Sequence, residues 1–133
     1  MEHNAYQHYK EQSINTMTQG ELLLMVYDEL IKRLMRCDLA LEQKNYEVLD
    51  ASLDRSIEIL RYLDDCLDYQ YPISRELHRL YDFFCYELSR VKAGRNKAEL
   101  DRIRPMISDL RDSFRAADKN CAEELRGQHE AER

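Results

Sequence analysis

The sequence predicts an all-α fold: an antiparallel up-down-up-down four-helix bundle preceded by a flexible N-terminal arm. Three observations lead there. Three Gly and two Pro in 133 residues leave too little turn-forming material for a β architecture, which needs many tight turns. Apolar residues recur three and four positions apart over four separate stretches, the period of amphipathic helices. Charged residues make up 35% and hydrophobic residues 44% of the chain, the balance of helices with one dry and one wet face. A chain of this length forms one domain with one continuous core.

The elements follow in order. Residues 1–16 are polar and aperiodic except for Ala5, Tyr6, Tyr9 and Ile14, and read as an arm, with the bundle over 17–122. Thr18-Gln19-Gly20-Glu21 has the form of a capping box. It opens a first helix from Glu21 to about Gln43 that carries Leu22, Leu23, Val26, Leu30, Leu34, Cys37 and Leu41 at helical spacing. Lys44-Asn45 is a break, with Asn45 suited to the left-handed conformation. The second helix, about Tyr46 to Leu67, aligns Leu49, Leu53, Ile57, Leu60, Leu63 and Leu67. A connection through Pro72 leads to a third, Ile73 to Lys92, built on Leu77, Leu80, Tyr81, Phe84, Leu88 and Val91. Asn96 is placed to cap the fourth helix, with core positions Leu100, Ile103, Ile107, Leu110, Phe114, Ala117 and Cys121. Pro105 predicts a kink in that helix or a later start. Residues 123–133 form a polar tail expected to fray.

Several function classes are disfavoured. A net charge of −6 and a pI near 5.3 oppose nucleic-acid binding, which needs clustered Lys and Arg. No basic start followed by an apolar stretch is present, and no run approaches the ~20 apolar residues of a membrane span. The expected location is cytoplasmic. Cys37, Cys66, Cys85 and Cys121 lie far apart without C-x-x-C spacing and read as reduced, buried thiols. His3, His8, His78 and His129 do not form the paired E-x-x-H pattern of di-iron bundles. No metal, cofactor or catalytic residue is expected, and His78 reads as a solvated surface residue. No G-x-S-x-G turn or glycine-rich phosphate loop occurs.

The functional clue is surplus grease. Helix one carries Leu24, Ile31 and Met35 beside its core stripe; helix two adds Val48, Ile59, Tyr62 and Cys66. In an antiparallel pair Leu24 and Ile31 lie near Ile59, Tyr62 and Cys66, close to Tyr69 and Tyr71 at the end where the arm attaches. They form an apolar groove that Tyr6 and Ile14 can strap over. Exposed apolar faces mark interaction sites, and an amphipathic segment laid in a groove is the simplest occupant. The pattern alone leaves two other covers open, a widened core or a second copy in a homodimeric adaptor.

The motifs in order resemble those of the FliS family, flagellar export chaperones that bind flagellin in the bacterial cytoplasm. They are Ala5-Tyr6, Met17-Thr18-Gln19-Gly20-Glu21-Leu22, Leu24-Met25-Val26-Tyr27-Asp28, Lys44-Asn45-Tyr46-Glu47, Leu67-Asp68 and Leu77-His78-Arg79-Leu80-Tyr81-Asp82-Phe83. The resemblance spans about Asn4 to Asp118. Departures are Tyr69-Gln70-Tyr71-Pro72 in place of a Gly-Gly pair, Glu29 after Tyr27-Asp28, Phe114 at a usual Trp, His3 before the Ala-Tyr pair, and Pro105. The resemblance implies a non-enzymatic holdase that wraps flagellin's disordered C-terminal segment, prevents premature polymerisation and delivers it to the export apparatus. Taken together with the surplus apolar faces and the arm, it gives an expected partner-binding set of Tyr6, Ile14, Leu24, Tyr27, Ile31, Ile59, Tyr62 and Cys66.

Overall fold

The computed structural model describes residues 17–131 together with position 5, and side chains through residue 128. Among the described residues the elements are α1 (Gln19–Glu42), α2 (Tyr46–Asp65), α3 (Ile73–Gly94) and α4 (Lys97–Ala131). Consecutive helices pack on one another, and α1 closes the ring against α4. Ion pairs fix the directions. Lys97 at the start of α4 lies 3.1 Å from Glu42 at the end of α1. Lys92 near the end of α3 lies 2.8 Å from Asp54 in the first half of α2. Adjacent helices therefore run antiparallel, the topology expected from short connections.

Local chemistry sets the helix ends. The Thr18 hydroxyl accepts from the Glu21 amide at 3.1 Å, capping α1 as the sequence indicated. Asn96 accepts from the Ala98 amide at 2.9 Å at the start of α4. One expectation about the breaks is corrected. Lys44, not Asn45, takes the left-handed backbone (φ 55°), because Asn45 caps α2 through the Val48 amide at 3.3 Å. At the α3–α4 turn Arg95 is left-handed (φ 54°), and its guanidinium stacks on the Tyr46 ring at 3.5 Å. In the α2–α3 connection the Asp68 carboxylate accepts from the Gln70 amide and the Asp68 carbonyl from the Ser74 hydroxyl.

Helix α4 departs most from expectation. It begins at Lys97, runs through Pro105 and stays helical to Ala131, 35 residues in all, rather than fraying from Glu123. The segment Asn120-Cys121-Ala122-Glu123-Glu124-Leu125-Arg126 holds good helix formers, and Gly127 alone weakens it. The other three helices have 24, 20 and 22 residues, so α4 overhangs the bundle. Its level is marked by Gly20, where a Cβ would overlap the Asp118 carboxylate. Beyond that point, residues 119–128 are exposed.

The core joins Leu30, Leu34 and Cys37 of α1, Leu49, Leu53 and Leu60 of α2, Phe84, Leu88 and Val91 of α3, and Leu100, Ile103 and Ile107 of α4. Tyr27 and Tyr81 lie within it, their hydroxyls hydrogen-bonded across the bundle at 2.5 Å. The expectation of four buried thiols holds for Cys37 alone, since Cys85 is half-buried and Cys66 and Cys121 are exposed; all four are free. Burial pushes the Cys37 thiol up to about 11, so it stays protonated and unreactive.

Candidate functional site

A depression of about 960 Å³ straddles the first half of α1. Leu24, Met25 and Val26 lie along it, Ile59 and Tyr62 wall it on the α2 side, and Arg115 bounds it on the α4 side. A second depression of about 480 Å³ shares Val26 and Tyr62 and continues towards the start of α1 past Leu22, Leu23, Leu63 and Cys66. Both open because α1 presents apolar residues on more of its circumference than its two neighbours bury. Met25 is 39% exposed and Tyr62 is 58% exposed.

The sequence-selected residues divide. Leu24, Ile59, Tyr62 and Cys66 come together in these joined depressions. Ile31 does not: it lines a separate notch on the α1–α4 seam. Tyr27 is fully buried. Its ring packs on Phe114 at 5.5 Å and its hydroxyl is occupied by Tyr81, so it is part of the core and not of the open surface. Tyr6 and Ile14 lie outside the described residues. Ile59 is only 6% exposed, touching the depression from the core side. Tyr62, a helical turn on, is the more exposed of the two.

The rim is charged in matched pairs. Asp28 bonds Arg111 at 3.0 Å and lies 3.9 Å from Arg115; Glu29 holds Arg33 at 2.9 Å; Glu58 holds Arg55 at 2.9 Å. Such exposed pairs contribute roughly 0–1 kcal/mol each to stability. The phenol of Tyr62 is raised, first by its hydrogen bond with Cys66.

His78 is a partly exposed surface residue that also makes two acidic contacts. Its Nδ1 is 2.6 Å from Asp64 of α2 and its Nε2 is 3.3 Å from Asp82 of its own helix. The hydrogen bond to Asp64, then the two nearby carboxylate charges, raise its pKa. Asp64, His78 and Asp82 are also the one cluster among the described residues with metal-ligand spacing, their donor atoms lying within 4.8 Å of one another. This trio spans α2 and α3 and lies outside the paired E-x-x-H pattern of di-iron bundles, so local spacing does not reveal it. Phe83 and Tyr86, 38% and 62% exposed on α3, were also missed, although their spacing three apart on the wet face was there to read. No helix among the described residues is long and apolar enough to cross a membrane.

Comparison with known proteins agrees with this architecture. The chain is 26% identical over 114 residues to the flagellar secretion chaperone FliS of Bacillus subtilis (strain 168), covering 86% of each chain. A crystal structure described as a flagellar chaperone from bacteria superposes with a TM-score of 0.73 at 22% identity, over 90% of this chain and 99% of that one; at that identity the likeness concerns the fold. The family model described as flagellar protein FliS matches residues 2–121, and the chain belongs to the FliS family.

Proposed function

We propose that the protein is a cytoplasmic holdase for flagellin, taking the disordered C-terminal segment of that client on the α1 face, preventing its premature polymerisation and releasing it to the export apparatus. The observation that carries the reading is the apolar depression centred on α1, with Leu24, Ile59 and Tyr62 around it and Cys66 beyond. An amphipathic segment that folds on binding would dry this surface, and the ordering cost it carries would moderate affinity and permit release. No chemical step or nucleotide is involved. The B. subtilis relative named as a flagellar secretion chaperone supports the client class. Residues 1–16, with Tyr6 and Ile14, are the competing cover: deleting them should tighten client binding.

The test uses purified flagellin and flagellin lacking its C-terminal segment, titrated into the protein by calorimetry. Full-length client should bind one to one, and the truncated client should not. Tyr62→Ala is the informative variant, because the ring is more than half exposed and its loss leaves the core intact. A weakening of about tenfold or more is expected for an anchoring aromatic. Ile59→Asp is unsuitable, since a carboxylate at that buried position would unfold the bundle. Equal binding of both flagellins would refute the reading, as would a stable homodimer that ignores them.

A further inference from the structure

The Asp64–His78–Asp82 trio sits on the seam between α2 and α3, and none of the three lines either client depression. Its hydrogen-bonding is one cation short. An ionised carboxylate can only accept, so the 2.6 Å contact between His78 Nδ1 and Asp64 places a proton on Nδ1. In the neutral ring that leaves Nε2 an acceptor, and it faces a second acceptor, Asp82 Oδ2, at 3.3 Å. Two acceptors at this range repel unless a proton or a metal ion lies between them. The neighbouring side chains supply no other charge. Among the described residues neither Asp64 nor Asp82 pairs with a Lys or Arg, whereas Asp28, Asp38 and Asp54 each do. Asp64 also stands in the last turn of α2, which carries no basic residue, so its charge adds to the negative end of the helix dipole.

We propose that His78 and Asp82 bind a divalent transition-metal ion of the zinc class, with Asp64 as the carboxylate that orients the imidazole. Residues four apart on a helix share a face, which brings both donors to one point. Donors ~2.0–2.1 Å from a tetrahedral zinc ion stand about 3.4 Å from each other; His78 Nε2 and Asp82 Oδ2 are already 3.3 Å apart. A histidine ligand ordinarily gives its other ring N–H to a carboxylate, the position Asp64 holds here. Mixed nitrogen and oxygen donors select zinc and its late first-row neighbours over magnesium and calcium, which take oxygen. The side chain of Asp82 is 70% exposed, so water completes the coordination. The ion would fix the His78 ring of α3 against Asp64 of α2 and so clasp the two helices near their connection.

The test titrates zinc chloride into the reduced full-length protein by calorimetry, with magnesium chloride in parallel and circular dichroism to verify each variant. Zinc should bind and magnesium should give no heat. His78→Gln and Asp82→Asn each remove a ligand from the surface of the bundle and should weaken zinc binding at least tenfold while the helices stay intact. Asp64→Asn keeps an acceptor for Nδ1 but removes the charge, and should weaken it about tenfold or more. Cobalt in place of zinc should show ligand-field bands without the charge-transfer band of a thiolate, which separates this site from Cys66 and Cys121. Hydrogen exchange at 62–66 and 76–82 should slow when zinc is added. Unchanged zinc affinity in both His78→Gln and Asp82→Asn overturns the proposal. A thiolate band that persists in those variants assigns the metal to the cysteines and overturns it too. Absence of zinc binding by the unmodified protein gives the place between Nε2 and Asp82 to a proton alone, with the same result.

Discussion

Lys44 and Arg95 each hold a left-handed backbone that places the Cβ of an L-residue against its own carbonyl, at roughly 1–2 kcal/mol. Arg95 recovers part of that by lying on Tyr46; Lys44 is exposed and makes no ion pair among the described contacts. Lys44→Gly should therefore stabilise the protein by about 1 kcal/mol, read as a higher urea midpoint with unchanged slope. Arg95→Gly should gain less, because it also removes the stacking. Deeper in, burial first and then the neighbouring phenol raise Tyr27 above its ordinary 10.0. Below pH 10 folded and unfolded chains both keep the proton, and the pair's contribution is whole. Above it the unfolded chain sheds a proton that the folded one retains, so stability falls as pH rises. Tyr27→Phe should flatten that alkaline decline, yet cost about 1–2 kcal/mol at neutral pH by stranding the Tyr81 hydroxyl. The double change to Phe should cost less than the two singles together. Side-chain caps were legible at this scale, since Thr18 and Asn96 cap where their motifs stand. The Tyr27–Tyr81 bond was not, because residues 54 positions apart share no local pattern.

At the scale of the element, periodicity gave every helix and most of its buried side, but not its rotation. On α1 the buried set is Tyr27, Leu30, Leu34, Cys37 and Ala40, while Leu22 and Leu23 of the expected stripe are only half-buried. A stripe read from hydrophobicity alone treats Tyr and Ala as neutral. Packing against a narrow diagonal partner favours one aromatic with a satisfied hydroxyl and one small residue. The same limit explains why Ile31 was assigned to the α2 side: one helical turn displaces a residue little on paper, yet α4 claims that flank. In α4 the proline was visible, but its tolerance was not. The exposed side of the helix lets the ring point outward, so the element continues with one bond missing. Pro105→Ala should raise stability by about 1–3 kcal/mol, observed as an increased melting temperature.

For the molecule as a whole, scarce turn residues and four periodic stretches were enough to give the bundle and its order of packing. Matching the open surface to particular residues required knowing which flank each neighbour occupies. Four of the eight selected residues meet in the joined depressions. The others scatter to the core, to the α4 seam and to the segment outside the described residues. Size matters to the client argument as well. Burying an exposed Tyr or Met contributes on the order of 1.5–3 kcal/mol before ordering costs, so a few anchors suffice for binding that can later be undone. The long α4 carries a separate implication for heat and solvent. The roughly thirteen residues past Asp118 make a lone rod about 20 Å long, too short to hold its shape well without neighbours. Its amides should trade deuterium within seconds while those of the same helix near Ile103 stay protected for hours, so a single continuous helix would report two very different lifetimes.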